Sequence, residues 1–372
     1  MSELIYRPGL DGVIAGTTKI SSIADGLRYR GYSIEELASH ATFEEVAYVV
    51  LYGERPSSTQ LDEFKSQLSA ASTVPSEVIE ILQGLPKDSN MMDMMRTGVS
   101  VLGHWEHGSS SDQSSDAMTA NAIRLFAQLP IVLAASYRIR NSQAIVDSRH
   151  EFCFAKNLLW MLNGTEPTDQ AVRAVDVSLI LYAEHEFNAS TFTARVVTST
   201  LSDMNSAVSA AVGALKGPLH GGANERVMEV LREVIDFGDV HGWVAKALQE
   251  KRKIMGFGHR VYKTGDPRAK FLKPLCKELA DQTNNMEFEE IADVIESTVW
   301  NEKSLAPNLD WPSARLYYYL GLPIDLYTPL FVVSRITGWC AHIIEQRENN
   351  RIIRPRSQYE GPDPRAWGQR SI

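Results

Sequence analysis

The chain has 372 residues, 44% of them apolar, enough for a large core with an elaboration or for two domains, which excludes a disordered protein. A net charge of -9 lacks the cationic footprint of a general nucleic-acid or membrane-surface binder, so any anion site is local. Three widely spaced cysteines, Cys153, Cys276 and Cys340, offer neither a disulfide framework nor a CxxC metal site and fit a reducing cytoplasm.

In chain order, the N-terminal residues show no charged segment followed by an apolar one, so no secretory leader is expected. No later stretch offers the ~18 uninterrupted apolar residues of a membrane span. Strand character, in β-branched alternation, is confined to residues 13–23. Ser33-x-x-Glu36 and Thr42-x-x-Glu45 read as capping boxes ahead of helices, the second ending at Gly53. Further helices are expected at 61–68, 77–82, 117–138, 151–162, 168–182, 193–215, 224–235, 243–251, 268–279, 288–305 and 327–347. The polar run 107–115 reads as an exposed loop. The chain is therefore mainly α. The glycine-rich stretch 217–222 and the turn Gly321-Leu322-Pro323 are the expected hinges. They set a small domain, 217–321, against a large one formed by 1–216 and 322–372.

Two glycine motifs fail as nucleotide loops. Gly217-Pro218-Leu219-His220-Gly221-Gly222-Ala223-Asn224 has GxxxxG spacing, but Ala-Asn stands where a P-loop needs Lys-Ser/Thr. It holds a histidine between glycines just before a helix, whose N-terminal field disfavours imidazolium. A neutral imidazole so placed can donate to a carbonyl becoming an enolate, as happens in triosephosphate isomerase; a hinge with an incidental surface histidine explains the pattern equally well. Gly256-Phe257-Gly258-His259-Arg260-Val261 has valine at the third glycine of a dinucleotide fingerprint. Residues 251–273 nevertheless carry eight bases against Asp266 alone, which favours a polyanionic ligand over a merely solvated face.

Arg335 is the sole permanent charge between Leu330 and Ile344, in an otherwise apolar helical pattern. A buried guanidinium needs an anion, either an internal carboxylate or a substrate clamped in planar, bidentate fashion. Asp310, in PNLDWPS, has helix N-capping as its ordinary role, and His185 that of a satisfied polar residue at a helix end. Arg354 reads as part of a basic tail. No HExxH or comparable spacing joins the histidines, so no metal site is expected.

Taken together, GPLHGGANE, MGFGHRVYKTGDPRA, PNLD, TPLFVVSRITGW and NNRIIRPRSQY, in that order, resemble the citrate synthase family, a likeness that runs nearly end to end. The resemblance implies a helical two-domain fold, an obligate homodimer, and condensation of acetyl-CoA with oxaloacetate to citrate and CoA. It implies no metal or resident cofactor, CoA entering as the acyl thioester. His220 resembles the histidine that stabilises the enol of the acyl-CoA, Asp310 the base that removes its α-proton, and His259 the histidine at the oxaloacetate carbonyl. His185, Arg268 and Arg335 resemble oxaloacetate-binding groups, joined by Arg354 from the partner, while Lys253, Arg260 and Lys263 suit the CoA phosphates. Tyr182-Ala183-Glu184-His185-Glu186-Phe187 is closer to 2-methylcitrate synthases, making propionyl-CoA an alternative substrate. A silent CoA- or dicarboxylate-binding relative is the remaining reading.

Overall fold

The computed structural model describes residues 6–105, 114–259, 261–262, 265–365 and 367. Among these, sixteen α-helices make up the body. The first seven are α1 (Ile34–His40), α2 (Phe43–Tyr52), α3 (Ser58–Ala71), α4 (Ser76–Gln83), α5 (Met91–Leu102), α6 (Ser115–Arg140) and α7 (Phe154–Asn163). They are followed by α8 (Asp169–Tyr182), α9 (Ala189–Ser199), α10 (Met204–Leu215), α11 (Ala223–Phe237) and α12 (Val240–Gln249). The last four are α13 (Ala269–Gln282), α14 (Met286–Lys303), α15 (Asp310–Tyr319) and α16 (Tyr327–Glu348).

Local chemistry explains many of these bounds. Thr42 and Glu45 cap each other reciprocally at the start of α2, and Gly53 ends that helix in the left-handed region at φ +97°. Ser33 accepts from the Glu36 amide to start α1. The strand expected over 13–23 shrinks to Ser21–Ser22, the edge of a three-stranded antiparallel sheet with Arg28–Tyr29 and Tyr32–Ser33. Val13 and Ile14 are exposed and lie outside the sheet found among the described residues.

The single helix expected over 193–215 is two. Leu201 adopts φ +69°, and Asp203 accepts from the Ser206 amide at 2.8 Å to cap α10 afresh. α5, whose buried face is rich in methionine, was not among the expected helices. α6 is long and apolar enough to cross a membrane by length and composition, yet most of it is buried against its neighbours. The expected loop at 107–115 lies outside the described residues except for its last members, Ser114 and Ser115, which cap and open α6.

α16 is the axle of the fold. Nearly every residue from Tyr327 to Ile344 is buried, with α2, α6, α8, α9 and α10 packed round it, which is why its sequence is apolar on all sides. Helices α11 to α15 pack chiefly on one another and meet the rest mainly through α13 on α8 and α11 on α16.

Candidate active site

The site gathers where the end of α8, the Gly217–Gly222 turn, the start of α15 and the middle of α16 meet. His220 sits in that turn. A Cβ on Gly221 would collide with the Leu215 carbonyl oxygen, so only glycine lets the chain fold back onto the end of α10. The Ser190 main-chain N–H donates to His220 Nε2 at 3.2 Å, and the Ser190 hydroxyl lies 2.8 Å from the same nitrogen. A main-chain N–H can only donate, so Nε2 is the acceptor and the ring carries its proton on Nδ1. Burial, and then the Arg335 guanidinium, push the His220 pKa down to about 4, keeping the ring neutral at physiological pH. Trp339 Nε1 donates to Ser190 Oγ at 3.1 Å and fixes that support from α16.

Asp310 opens α15 but does not cap it with its side chain, contrary to the ordinary role of an aspartate there. Its Oδ1 accepts from the Tyr182 hydroxyl at 2.7 Å. Burial raises its pKa to about 6, against the Tyr182 hydrogen bond and the Arg268 charge, with Asp266 adding to the rise and Arg335 opposing it. The result is a carboxylate more basic than one in water yet still ionised at neutral pH. Tyr182 also accepts from Arg335 Nε through its carbonyl at 2.6 Å, and its ring lies 4.5 Å from that of Phe331. Phe331 in turn borders His220 at 6.1 Å and lies under the Arg335 guanidinium at 4.7 Å. His220, Asp310 and Arg335 therefore surround one aromatic pair.

His185 follows α8. Its Nε2 is 3.0 Å from the Tyr262 hydroxyl, and its ring centroid is 5.3 Å from that of His259. Burial, then the charges of Arg268 and Arg335, hold the His185 pKa well below its usual value. The amides of Val261 and Tyr262 donate to His259 Nδ1 at 3.0 and 3.3 Å, which leaves the ring proton on Nε2. A cavity of about 120 Å³ opens beside His259, bounded by Gly258, Tyr262, Gly265, Asp266 and Pro307.

The His259 segment and Asp310 are joined directly. Asn308 Nδ2 donates to the Gly258 carbonyl at 2.9 Å, and Asn308 Oδ1 accepts from the Asp310 amide at 3.0 Å. Phe257 and Pro307 form a β-bridge beside this link. Gly256, at φ +87°, leaves no room for a Cβ, which would lie 2.8 Å from Trp311 and 2.9 Å from Val227 on α11.

The two buried arginines differ. Arg268 grips Asp266 through Nε at 2.9 Å and a terminal nitrogen at 2.8 Å, and burial of Asp266 is outweighed by that guanidinium, which holds the carboxyl below its usual range. Arg335 has no ion pair among the described residues, and its Nη1 is buried with no partner. A guanidinium in that condition invites a carboxylate from outside.

The cationic run is less free than its sequence suggests. Arg252 pairs with Glu233, Lys270 with Glu35, and Lys273 with Asp293 and Glu296. Lys253 is exposed between α12 and the His259 segment, while Arg260 and Lys263 lie outside the described residues. Arg354 is exposed on an extended stretch after α16 and is not among the groups surrounding His220 and Asp310 in its own chain. No group of three or more His, Cys, Asp or Glu suited to hold a metal occurs among the described residues. Tyr182, Ser190, Tyr262 and Asn308 were given no role from sequence, and Asp266 entered only as the lone acid of the cationic run, although its place two residues before Arg268 was a usable signal.

The family model described as citrate synthase, C-terminal domain, matches residues 9–356. The chain belongs to the citrate synthase family. It is 46% identical over 357 residues to citrate synthase 2 of Bacillus subtilis, covering 95% of this chain and 96% of that protein. To the 2-methylcitrate synthase of Shewanella oneidensis it is 44% identical over 361 residues, covering 96% and 95%. Its fold matches the citrate synthase of the thermophilic archaeon Thermoplasma acidophilum, solved with carboxymethyl coenzyme A and oxaloacetate. That match has a TM-score of 0.91 and 34% identity over 97% of this chain and 98% of that one. The protein is thus a condensing enzyme of the citrate synthase and 2-methylcitrate synthase group, and mainly α like its relatives.

Proposed function

We propose that this enzyme joins acetyl-CoA to oxaloacetate and hydrolyses the resulting thioester, releasing citrate and CoA. Asp310 removes the proton α to the thioester, and His220 donates from Nδ1 to the oxygen on which enolate charge develops. A carboxylate is a weak base for a carbon acid, so the step depends on that donor being in place as charge appears. His259 donates from Nε2 to the oxaloacetate carbonyl, and His185, Arg268 and Arg335 hold the dicarboxylate. Lys253, Arg260 and Lys263 take the CoA phosphates. No metal or resident cofactor enters these steps.

The observation that carries the reading is Tyr182. It binds the Asp310 carboxylate through its hydroxyl and Arg335 through its carbonyl, while Phe331, whose ring it packs against, borders the neutral His220. Base, enolate donor and carboxylate anchor thereby share one wall.

In this reading residues 217–321 form a lobe that closes over the substrates and excludes water during condensation. The working unit is a cytoplasmic homodimer in which Arg354 serves the partner's site. The extended segment bearing Arg354, with Ile352 61% and Tyr359 77% exposed, supports such a second copy.

Propionyl-CoA is a second reading, supported by the similar identities to a citrate synthase and a 2-methylcitrate synthase. One methylene is worth only about 1–3 kcal/mol of discrimination, so both thioesters can be substrates. The test is steady-state release of free CoA with oxaloacetate and each acyl-CoA. Higher kcat/KM with propionyl-CoA would reverse the preference, and no release with either would overturn the catalytic assignment.

A further inference from the structure

One buried carboxylate has no part in the chemistry above. Glu184, immediately before His185, is fully buried. Its Oε1 accepts from Ser21 Oγ and from His342 Nε2, both at 2.9 Å, and its Oε2 has no hydrogen-bond partner among the described residues. Arg195 lies 3.0 Å from His342 Nδ1, and a guanidinium has only donors, so the imidazole proton sits on Nε2 and points at Glu184. Arg195 is itself fixed by Glu345 at 2.7 Å and Gln346 at 3.1 Å.

The carboxylate rests against one side of α16. A Cβ on Gly338 would collide with Glu184 Oε2 and come within 2.6 Å of the Ala183 carbonyl oxygen, so Glu184 occupies space a side chain would fill. Gly338 and His342 follow Arg335 at i+3 and i+7, the spacing that brings residues onto one helix face. Arg335 is buried with Nη1 unpartnered and no carboxylate in ion-pair contact among the described residues.

We propose that Glu184 is the resident counter-charge of Arg335, balancing the guanidinium in the empty enzyme without hydrogen-bonding to it, so that its donors remain available to a substrate carboxylate. This makes Glu184 a positioning residue for the condensation. A direct Glu–Arg pair would occupy the fork and compete with substrate, whereas no carboxylate at all would leave an uncompensated buried charge. Charge influences agree with the arrangement. Burial opposes ionisation of Glu184, and the hydrogen bond from His342 and then the Arg335 charge outweigh it, holding its pKa below the usual range. Burial lowers Arg335 to about 10, and Glu184 is the largest influence acting against that fall.

The inference rests on Arg335 being a substrate-carboxylate group, and its test separates the two ideas. Oxaloacetate binding to the full-length protein is measured by calorimetry, and melting temperature without ligand, for wild type, Glu184→Gln, Arg335→Gln and the double variant. Glu184→Gln should melt lower when empty yet bind oxaloacetate about tenfold more tightly, because the dicarboxylate then supplies the missing charge. A merely structural glutamate would give lower stability with weaker or unchanged binding, and that result overturns the inference. The double variant should recover much of the lost melting temperature, since both charges are gone. If Glu184→Gln does not fold, a folded double variant supports the inference and an unfolded one overturns it. Unchanged oxaloacetate affinity in Arg335→Gln would instead overturn the site reading, and the inference with it.

Discussion

Asp310→Asn should make the protein inactive and more stable at once. Asparagine retains an oxygen to accept from Tyr182 but cannot take a proton from carbon, so turnover should fall by about 10²–10⁴-fold. Oxaloacetate affinity should persist, because His185, Arg268 and Arg335 are untouched. The stability effect follows from the carboxyl's rise from its usual 3.8 to about 6 on folding. An acid whose pKa rises on folding holds its proton more tightly in the native state. Its favourable contribution is complete below about pH 4 and is lost as pH climbs through about 6. Near pH 7.5 the ionised side chain therefore costs about 3 kcal/mol relative to the unfolded chain, a cost asparagine does not carry. Melting measured near pH 4 and near pH 7.5 should show little difference between variant and wild type at the lower value. At the higher value the variant should gain a few degrees. An equal difference at both pH values, or turnover within about tenfold of wild type, would refute the reasoning.

The pH profile of kcat/KM should show an acid limb near 6, set by Asp310 needing to be ionised, with no second limb from His220 above about 4; a plateau continuing well below pH 5 would contradict it. Asp266→Asn should weaken the fold by about 3–5 kcal/mol in urea titration, because it leaves the Arg268 guanidinium buried without its partner. It should also disturb Leu309, whose amide donates to Asp266 Oδ2 at 3.1 Å. Gly221→Ala should cost about 1–3 kcal/mol, since the new methyl meets the Leu215 carbonyl. Its kcat should fall more than its oxaloacetate affinity because His220 shifts with the turn, and an unchanged melting temperature would count against the close approach.

What could be read from the sequence was local or came through resemblance. The Thr42–Glu45 capping box, the stop at Gly53 and the largely apolar α16 carry their causes within a few residues. The break between α9 and α10 also had a local signal in Asp203-x-x-Ser206, but the continuous run of small and apolar residues on both sides concealed it. Long-range partners were not legible by composition. Tyr182 meets Asp310 across 128 positions, and Lys270 meets Glu35 across 235, so a charged run that looked available for phosphates is partly committed within the fold. Arg335 stood out because a lone charge in an apolar helix is conspicuous. Glu184 did not, since another acid, Glu186, lies two positions away and nothing in the sequence tells the two apart.

Asn308 ties two of the candidate groups together. Because a single amide group grips both the Gly258 carbonyl and the Asp310 amide, the proposed base and the imidazole of residue 259 are tied to one another through the backbone. The imidazole of residue 220 is moored elsewhere, to Ser190. The Tyr182 hydroxyl holds that same Asp310 side chain from α8, and its ring meets Phe331 beside residue 220, so a disturbance at Asn308 would be felt across the whole constellation and not by one member alone.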